Sequence, residues 1–144
     1  MTRFVFRLEP VLGWRKAQLE AEEFRLKQML AERERLEREI AEVEAARLEA
    51  ERQVRGAEVV AATDLWALGA YRKAARARAE AMARRLAEHA AGIRAQRERI
   101  GVARQRCRLL ERLKERRLAD WLYANGREME NFAGDAYLAR WNTP

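Results

Sequence analysis

The chain has 144 residues, of which 49% are hydrophobic and 37% charged, and its formal net charge is +7. This length allows one domain at most, so we treat residues 1–144 as a single coiled-coil domain. The dominance of Ala, Glu, Lys, Leu and Arg is typical of long helices and excludes an ordinary globular core of this size.

The chain opens with an alternating stretch in which Phe4, Phe6 and Leu8 are separated by other side chains, as in a strand. Pro10 then follows, and proline suits the first turn of a helix, where its missing N–H costs nothing. We therefore interpret Phe4 and Phe6 as an apolar anchor that caps a helix pair. Fraying of the first eight residues is the alternative.

A first helix is predicted over about residues 10–57. Its a and d positions follow one unbroken 3–4 spacing, and ten of the fourteen are apolar, as in a coiled-coil seam. These positions are 12, 15, 19, 22, 26, 29, 33, 36, 40, 43, 47, 50, 54 and 57.

A turn over about 58–63 and a second helix over about 64–124 follow, with Thr63 or Asp64 as the N-cap. The seam of the second helix begins at Leu65 and includes Ala75, Met82, Ile93, Ile100 and Cys107. Asn125-Gly126 predicts the end of this helix, which leaves a C-terminal tail over 125–144.

Two long helices joined by a short connection favour an antiparallel pair. The fold class is thus predicted to be all-α, a long antiparallel two-helix coiled-coil hairpin with a short C-terminal extension. One continuous helix that dimerises is the alternative, but aromatic residues near both termini would come together in a hairpin.

The catalytic inventory is nearly empty, and we expect neither an enzyme nor a cofactor. His89 and Cys107 are far apart and lie on the seam, no phosphate-binding glycine motif occurs, and the glutamates alternate with arginines as in surface pairs. The single cysteine, and the absence of a signal peptide or membrane-spanning stretch, lead us to expect a cytoplasmic protein.

The charge is concentrated in residues 72–117, which carry sixteen basic and five acidic side chains, net +11. Such a block indicates an acidic partner, nucleic acid or an anionic membrane, unless it only solvates a helix face. Nucleic acid is disfavoured because the block has basic residues around most of the helix and no Phe, Trp or Tyr for base stacking. A narrow, alanine-rich apolar face disfavours the membrane.

The opening FVFRLEPVLGWRKAQLEAEE resembles the N-terminus of the flagellar export protein FliJ family, in which an F-x-F-x-L-x-x-V-L-x-x-R start precedes a long helix. The matching residues are Phe4, Phe6, Leu8, Val11, Leu12 and Arg15. LLERLKERRLADWLY and REMENFAGDAYLARW are similar to later parts of that family. Related stalk proteins of virulence type III secretion systems share the architecture.

This resemblance implies a cytoplasmic stalk of the type III protein export apparatus, used in flagellum biogenesis and motility and peripheral to the inner membrane at the flagellar base. The end with both termini would enter the pore of a hexameric export ATPase, and the other end would reach the cytoplasmic domain of the export gate. The family is also credited with escorting export chaperones.

Two sets of residues follow from the resemblance. The predicted gate-binding residues, just after the turn, are Leu68, Tyr71, Ala75 and Met82. The predicted ATPase-binding residues, against acidic groups in the pore, are Arg104, Arg106, Arg108, Arg112, Arg116 and Arg117. The alternative is that these arginines bind no partner and only keep the helix soluble. A general coiled-coil adaptor or structural dimer, and less favourably a nucleic-acid-binding coiled coil, remain alternative functions.

Overall fold

The computed structural model describes residues 3–141 and contains two helices, α1 (Glu9–Gly56) and α2 (Ala62–Trp141). Helix accounts for 92% of the described residues, none of which lies in a strand. The helices pack against each other as an antiparallel hairpin: Glu9 pairs with Lys114, whereas Glu51, at the other end of α1, pairs with Arg72. The predicted fold class is confirmed.

The start of α1 follows from local chemistry. Pro10 occupies the first turn, where no backbone donor is needed, and the carboxylate of Glu9 lies near the positive end of the helix dipole. The Glu9 N–H donates to the carbonyl of Phe6 at 3.0 Å, which satisfies one of the orphan donors.

The turn between the helices covers residues 57–61, and α2 begins slightly earlier than predicted. Asp64 therefore lies inside the first turn of α2, not at the N-cap. Its carboxylate accepts a long hydrogen bond of 3.4 Å from the Ala61 N–H, as the third helical residue does in a capping box.

The predicted helix end at Asn125-Gly126 is wrong, since α2 continues without a break to Trp141. No described residue has the left-handed backbone that a glycine cap needs. Gly126 costs about 1 kcal/mol in helix propensity, but good helix formers such as Arg127, Glu128 and Met129 follow it and the helix continues.

Contacts divide the chain into two units: a central unit, Ala21–Ile100, and a terminal unit made of 3–20 and 101–141 among the described residues. The single domain expected from the length stays a prediction.

The central unit has a narrow core along the predicted seam. Leu36 is completely buried, and Ile93 and Ile100 are nearly so. The buried Gln96 donates from its side chain to the Glu22 carbonyl at 3.0 Å and also to the Glu22 carboxylate, which satisfies a polar group inside the seam.

The terminal unit confirms the apolar anchor. Phe6 is buried together with Leu12 and Cys107, and the Phe4 ring lies 6.0 Å from the Trp121 ring at an interplanar angle of 55°. Two ion pairs also join the helices here, Lys114 with Glu9 at 2.8 Å and Lys16 with Glu111 at 3.5 Å.

The predicted seam of α1 is confirmed from Leu12 to Val54, because each of its a and d positions in that range is buried or half-buried. Two predicted seam positions are wrong: Ala57 lies in the turn, and Leu65 is exposed. Within the described residues, neither helix holds an apolar stretch long enough to cross a membrane.

Candidate functional site

The six arginines predicted to bind the ATPase all lie on α2 in the terminal unit, and all are exposed. We call them the arginine surface; they are Arg104, Arg106, Arg108, Arg112, Arg116 and Arg117. At 3.6 residues per turn, the four that recur every fourth residue from Arg104 form one stripe along the helix. Arg106 and Arg117 are three turns apart and lie on a different side, so the set covers two sides of α2.

Most of these arginines form no ion pair in the described chain. Within residues 3–141 no ion pair or hydrogen bond engages the side chains of Arg106, Arg108, Arg112, Arg116 or Arg117, while Arg104 does have an interaction there. The nearby acidic Glu111 pairs with Lys16. The surface therefore carries net positive charge that an anionic partner could neutralise.

Several arginines of α1 do pair with carboxylates. Arg35 donates to both carboxylate oxygens of Glu32, at 2.9 and 2.7 Å, and Arg47 pairs with Glu44 and Glu51. Each of these glutamates has a pKa below its ordinary value, chiefly because it accepts a hydrogen bond from an arginine. In α1 the charges are balanced within the chain, and this balance is structural.

A shallow depression of about 410 Å³ lies on the arginine surface, lined by α2 residues alone. Arg104, Arg108 and Arg112 border it, and Gly101 leaves open space at one end because nothing lies within 4 Å of where a side chain would begin. Guanidinium groups bind carboxylates through paired hydrogen bonds, so the depression suits an acidic side chain of a partner protein.

A second cleft of about 630 Å³ lies beside the anchor in the same unit. Phe4, Phe6 and Trp121 give it apolar walls, while Arg7 and Arg117 add positive charge. The sequence predicted the anchor but not the cleft, because the spacing of Phe4 and Phe6 does not reveal which part of α2 they contact.

Two of the four predicted gate-binding residues are buried in the central unit. Only 9% of Ala75 and 6% of Met82 is exposed, since both belong to the seam against α1. A buried side chain cannot contact another protein while the helices stay packed, so these two residues are seam residues. Leu68 is half-buried and Tyr71 is exposed, and their assignment to the gate stays a prediction.

Leu68 and Tyr71 line a depression of about 390 Å³ near the turn, together with Val54 and Val60. Trp66 is exposed nearby in sequence, and reasoning from the sequence did not select it. Its position just inside α2, outside the heptad seam, is the signal that could have identified it.

Residues with catalytic or metal-binding chemistry do not converge in the described part of the chain. Cys107 is buried in the terminal unit, and His89 is half-buried in the central unit. Among residues 3–141 no group of three or more His, Cys, Asp or Glu side chains could hold a metal ion.

The surface with the clearest chemistry is therefore the arginine surface. Comparison with known proteins identifies no relative: no family model matches the chain, and no curated protein or solved structure matches it significantly.

Proposed function

We propose that this chain is a non-enzymatic stalk of a type III protein export apparatus of the FliJ kind. It binds the hexameric export ATPase through the arginine surface and couples the ATPase to the export gate, and it escorts export chaperones. It acts in the cytoplasm at the flagellar base, peripheral to the inner membrane through its partners.

The observation that carries the proposal is the uncompensated charge of the arginine surface. A stalk that contacts several subunits of a ring in turn needs polar contacts that form and break easily. Exposed guanidinium groups facing acidic pore residues provide such contacts, since each exposed ion pair contributes only about 0–1 kcal/mol.

The packing of the opening motif also supports the proposal. Phe4 and Phe6, which carry the resemblance, hold the N-terminal segment against α2 beside Arg117. The motif thus has a structural role in the unit that bears the arginine surface, as a fixed ATPase-binding end requires. Leu68 and Tyr71 are the proposed gate contacts.

An adaptor coiled coil that works as a dimer is the second candidate. It is favoured by large apolar side chains that α2 leaves exposed after Leu118, including Leu122 and Phe132. Exposed apolar groups in this number mark surfaces that another protein covers.

The experiment measures ATP hydrolysis by the cognate export ATPase with and without this chain. We expect the wild-type chain to stimulate hydrolysis. Replacing Arg108, Arg112 and Arg116 together by Glu should reduce the apparent affinity for the ATPase about tenfold or more, because three attractive contacts become repulsive.

A matched control reverses three exposed arginines of the central unit, Arg84, Arg94 and Arg97. The net charge changes equally, and stimulation should persist. Equal loss in both variants would show a non-specific charge effect. No stimulation by the wild-type chain, with an ATPase shown to be active, would reject the stalk and favour the adaptor.

A further inference from the structure

The C-terminal part of α2 has an apolar side that is exposed except at Asn125, which is half-buried. Every residue from Gly126 to Trp141 is exposed, and so are Leu118 and Leu122. Phe132 is 75% exposed. Single exposed apolar residues are ordinary, but a run of them along one helix indicates an interaction surface.

The spacing of these residues is that of a coiled-coil seam. We define the C-terminal stripe as Leu118, Leu122, Asn125, Met129, Phe132 and Ala136. The steps between them alternate strictly between four and three residues, and five of the six are apolar. This is the narrow a/d seam by which one helix packs against a single partner helix, and it continues the helix that already forms the hairpin seam.

We propose that the C-terminal stripe pairs with the same stripe of a second copy of this chain, in a parallel two-stranded coiled coil. Asn125 lies within the stripe, and a side-chain amide carries both donors and an acceptor. Two Asn125 side chains that meet across a parallel pair can therefore hydrogen-bond to each other. Any other alignment would leave these two amides unpaired in an apolar seam, so Asn125 favours the alignment in which they meet.

The charges beside the stripe favour the parallel direction. Asp135 and Arg140 flank the seam on opposite sides and are five residues apart, so in a parallel pair Asp135 of one copy faces Arg140 of the other. An antiparallel pair would bring the acidic side, Glu128 and Asp135, against itself. Arg140 also has an interaction within its own chain. We therefore expect the pair of Asp135 and Arg140 to favour the parallel direction of the two helices and to add little to the affinity.

Charge also argues against other occupants. Residues 118–141 carry four acidic and two basic side chains, a net charge of −2, which disfavours an anionic membrane or nucleic acid. The stripe covers about three heptads, which is short for a coiled coil, so we expect association at roughly micromolar concentrations.

The proposal does not depend on the stalk function, and the test uses this full chain alone. Sedimentation equilibrium should give a concentration-dependent mass that rises from 16.8 kDa toward twice that value. Replacing Met129 and Phe132 together by Glu should weaken association about 100-fold or more, because it places charge in the seam. Helix content by circular dichroism should stay near that of the wild type, since both residues are exposed.

The matched control replaces Tyr123 and Tyr137 by Glu, two exposed aromatic residues of the same helix that lie away from the stripe. Association should be unchanged. A wild-type chain that stays monomeric up to about 0.5 mM overturns the proposal. A dimer that the seam variant leaves intact, or that the control weakens equally, also overturns it.

Oxidative cross-linking tests the direction. Cysteine in place of Asn125 should form a disulfide-linked dimer in a parallel, aligned pair, because the two sulfur atoms then face each other. Cysteine in place of Tyr123 should not, and the native Cys107 is buried. Equal cross-linking of both variants would contradict the parallel pairing.

Discussion

The position of a residue in the heptad decides its burial more strongly than its chemical type. Leu36 and Leu48 are the same residue on the same helix, yet Leu36 is completely buried and Leu48 is 43% exposed. Leu36 occupies a seam position facing α2, whereas Leu48 lies outside the 3–4 spacing. A two-helix core is narrow, so a few such positions provide most of the apolar burial.

Replacing Leu36 by Ala should lower the free energy of unfolding by about 2–5 kcal/mol, because it removes buried methyl groups and leaves a cavity. Leu48→Ala is the matched control and should cost less than about 1 kcal/mol, since much of that side chain already contacts water. Urea denaturation followed by circular dichroism measures both values. Similar losses would contradict the assigned seam.

At the scale of an element, each helix carries glycines that lower its propensity without interrupting it. Gly92 and Gly101 both lie inside α2, but their surroundings differ. A methyl group added at Gly92 would lie 3.1 Å from the Met29 side-chain terminus on α1, whereas one added at Gly101 would meet nothing within 4 Å. Gly92 thus lets the helices approach closely, and Gly101 has no such role.

Gly101→Ala should raise the free energy of unfolding by up to about 1 kcal/mol, the difference in helix propensity. Gly92→Ala should raise the free energy of unfolding by a smaller amount, because Met29 must move by a few tenths of an ångström to admit the new methyl group. Parallel urea titrations of the two variants would compare these gains. A larger gain at Gly92 would mean that the close approach is not needed.

At the scale of the whole molecule, the charges of the two helices are arranged differently. Hydrogen bonds from arginines lower the pKa of Glu32, Glu44 and Glu51 in α1. Glu51 joins both helices, because it accepts a hydrogen bond from Arg72 at 2.7 Å as well as one from Arg47. This contact with Arg72 is the main reason that the pKa of Glu51 lies below its ordinary 4.5. Folding and ionisation are therefore linked.

The sign of this linkage predicts loss of stability in acid. A carboxylate whose pKa is lower in the folded state stabilises the fold above pH 4.5, and that contribution disappears as the pH falls through the folded value. We expect the thermal unfolding midpoint to fall between pH 5 and about pH 3. Glu51→Gln should lower the midpoint at neutral pH and reduce its dependence on pH; an unchanged dependence would contradict a role for Glu51.

The heptad spacing made the helix pair predictable, because a continuous apolar seam needs a partner and a short turn supplies one within the chain. The same reasoning predicted the anchor from Phe4 and Phe6. It failed at Asn125-Gly126, where a local turn signal was outweighed by the helix formers that follow. It placed Ala75 and Met82 both on the seam and in the predicted gate-binding set, and the structure buries them between the helices.

The pattern of residues along the chain therefore determines that two helices form and which side of each is apolar. Only the tertiary structure decides which arginines find a carboxylate and which apolar residues stay uncovered. The reason is that these properties depend on distances between side chains far apart in sequence. Arg72 reaches Glu51 across the hairpin, while Arg108 and Phe132 reach no such partner in the described chain.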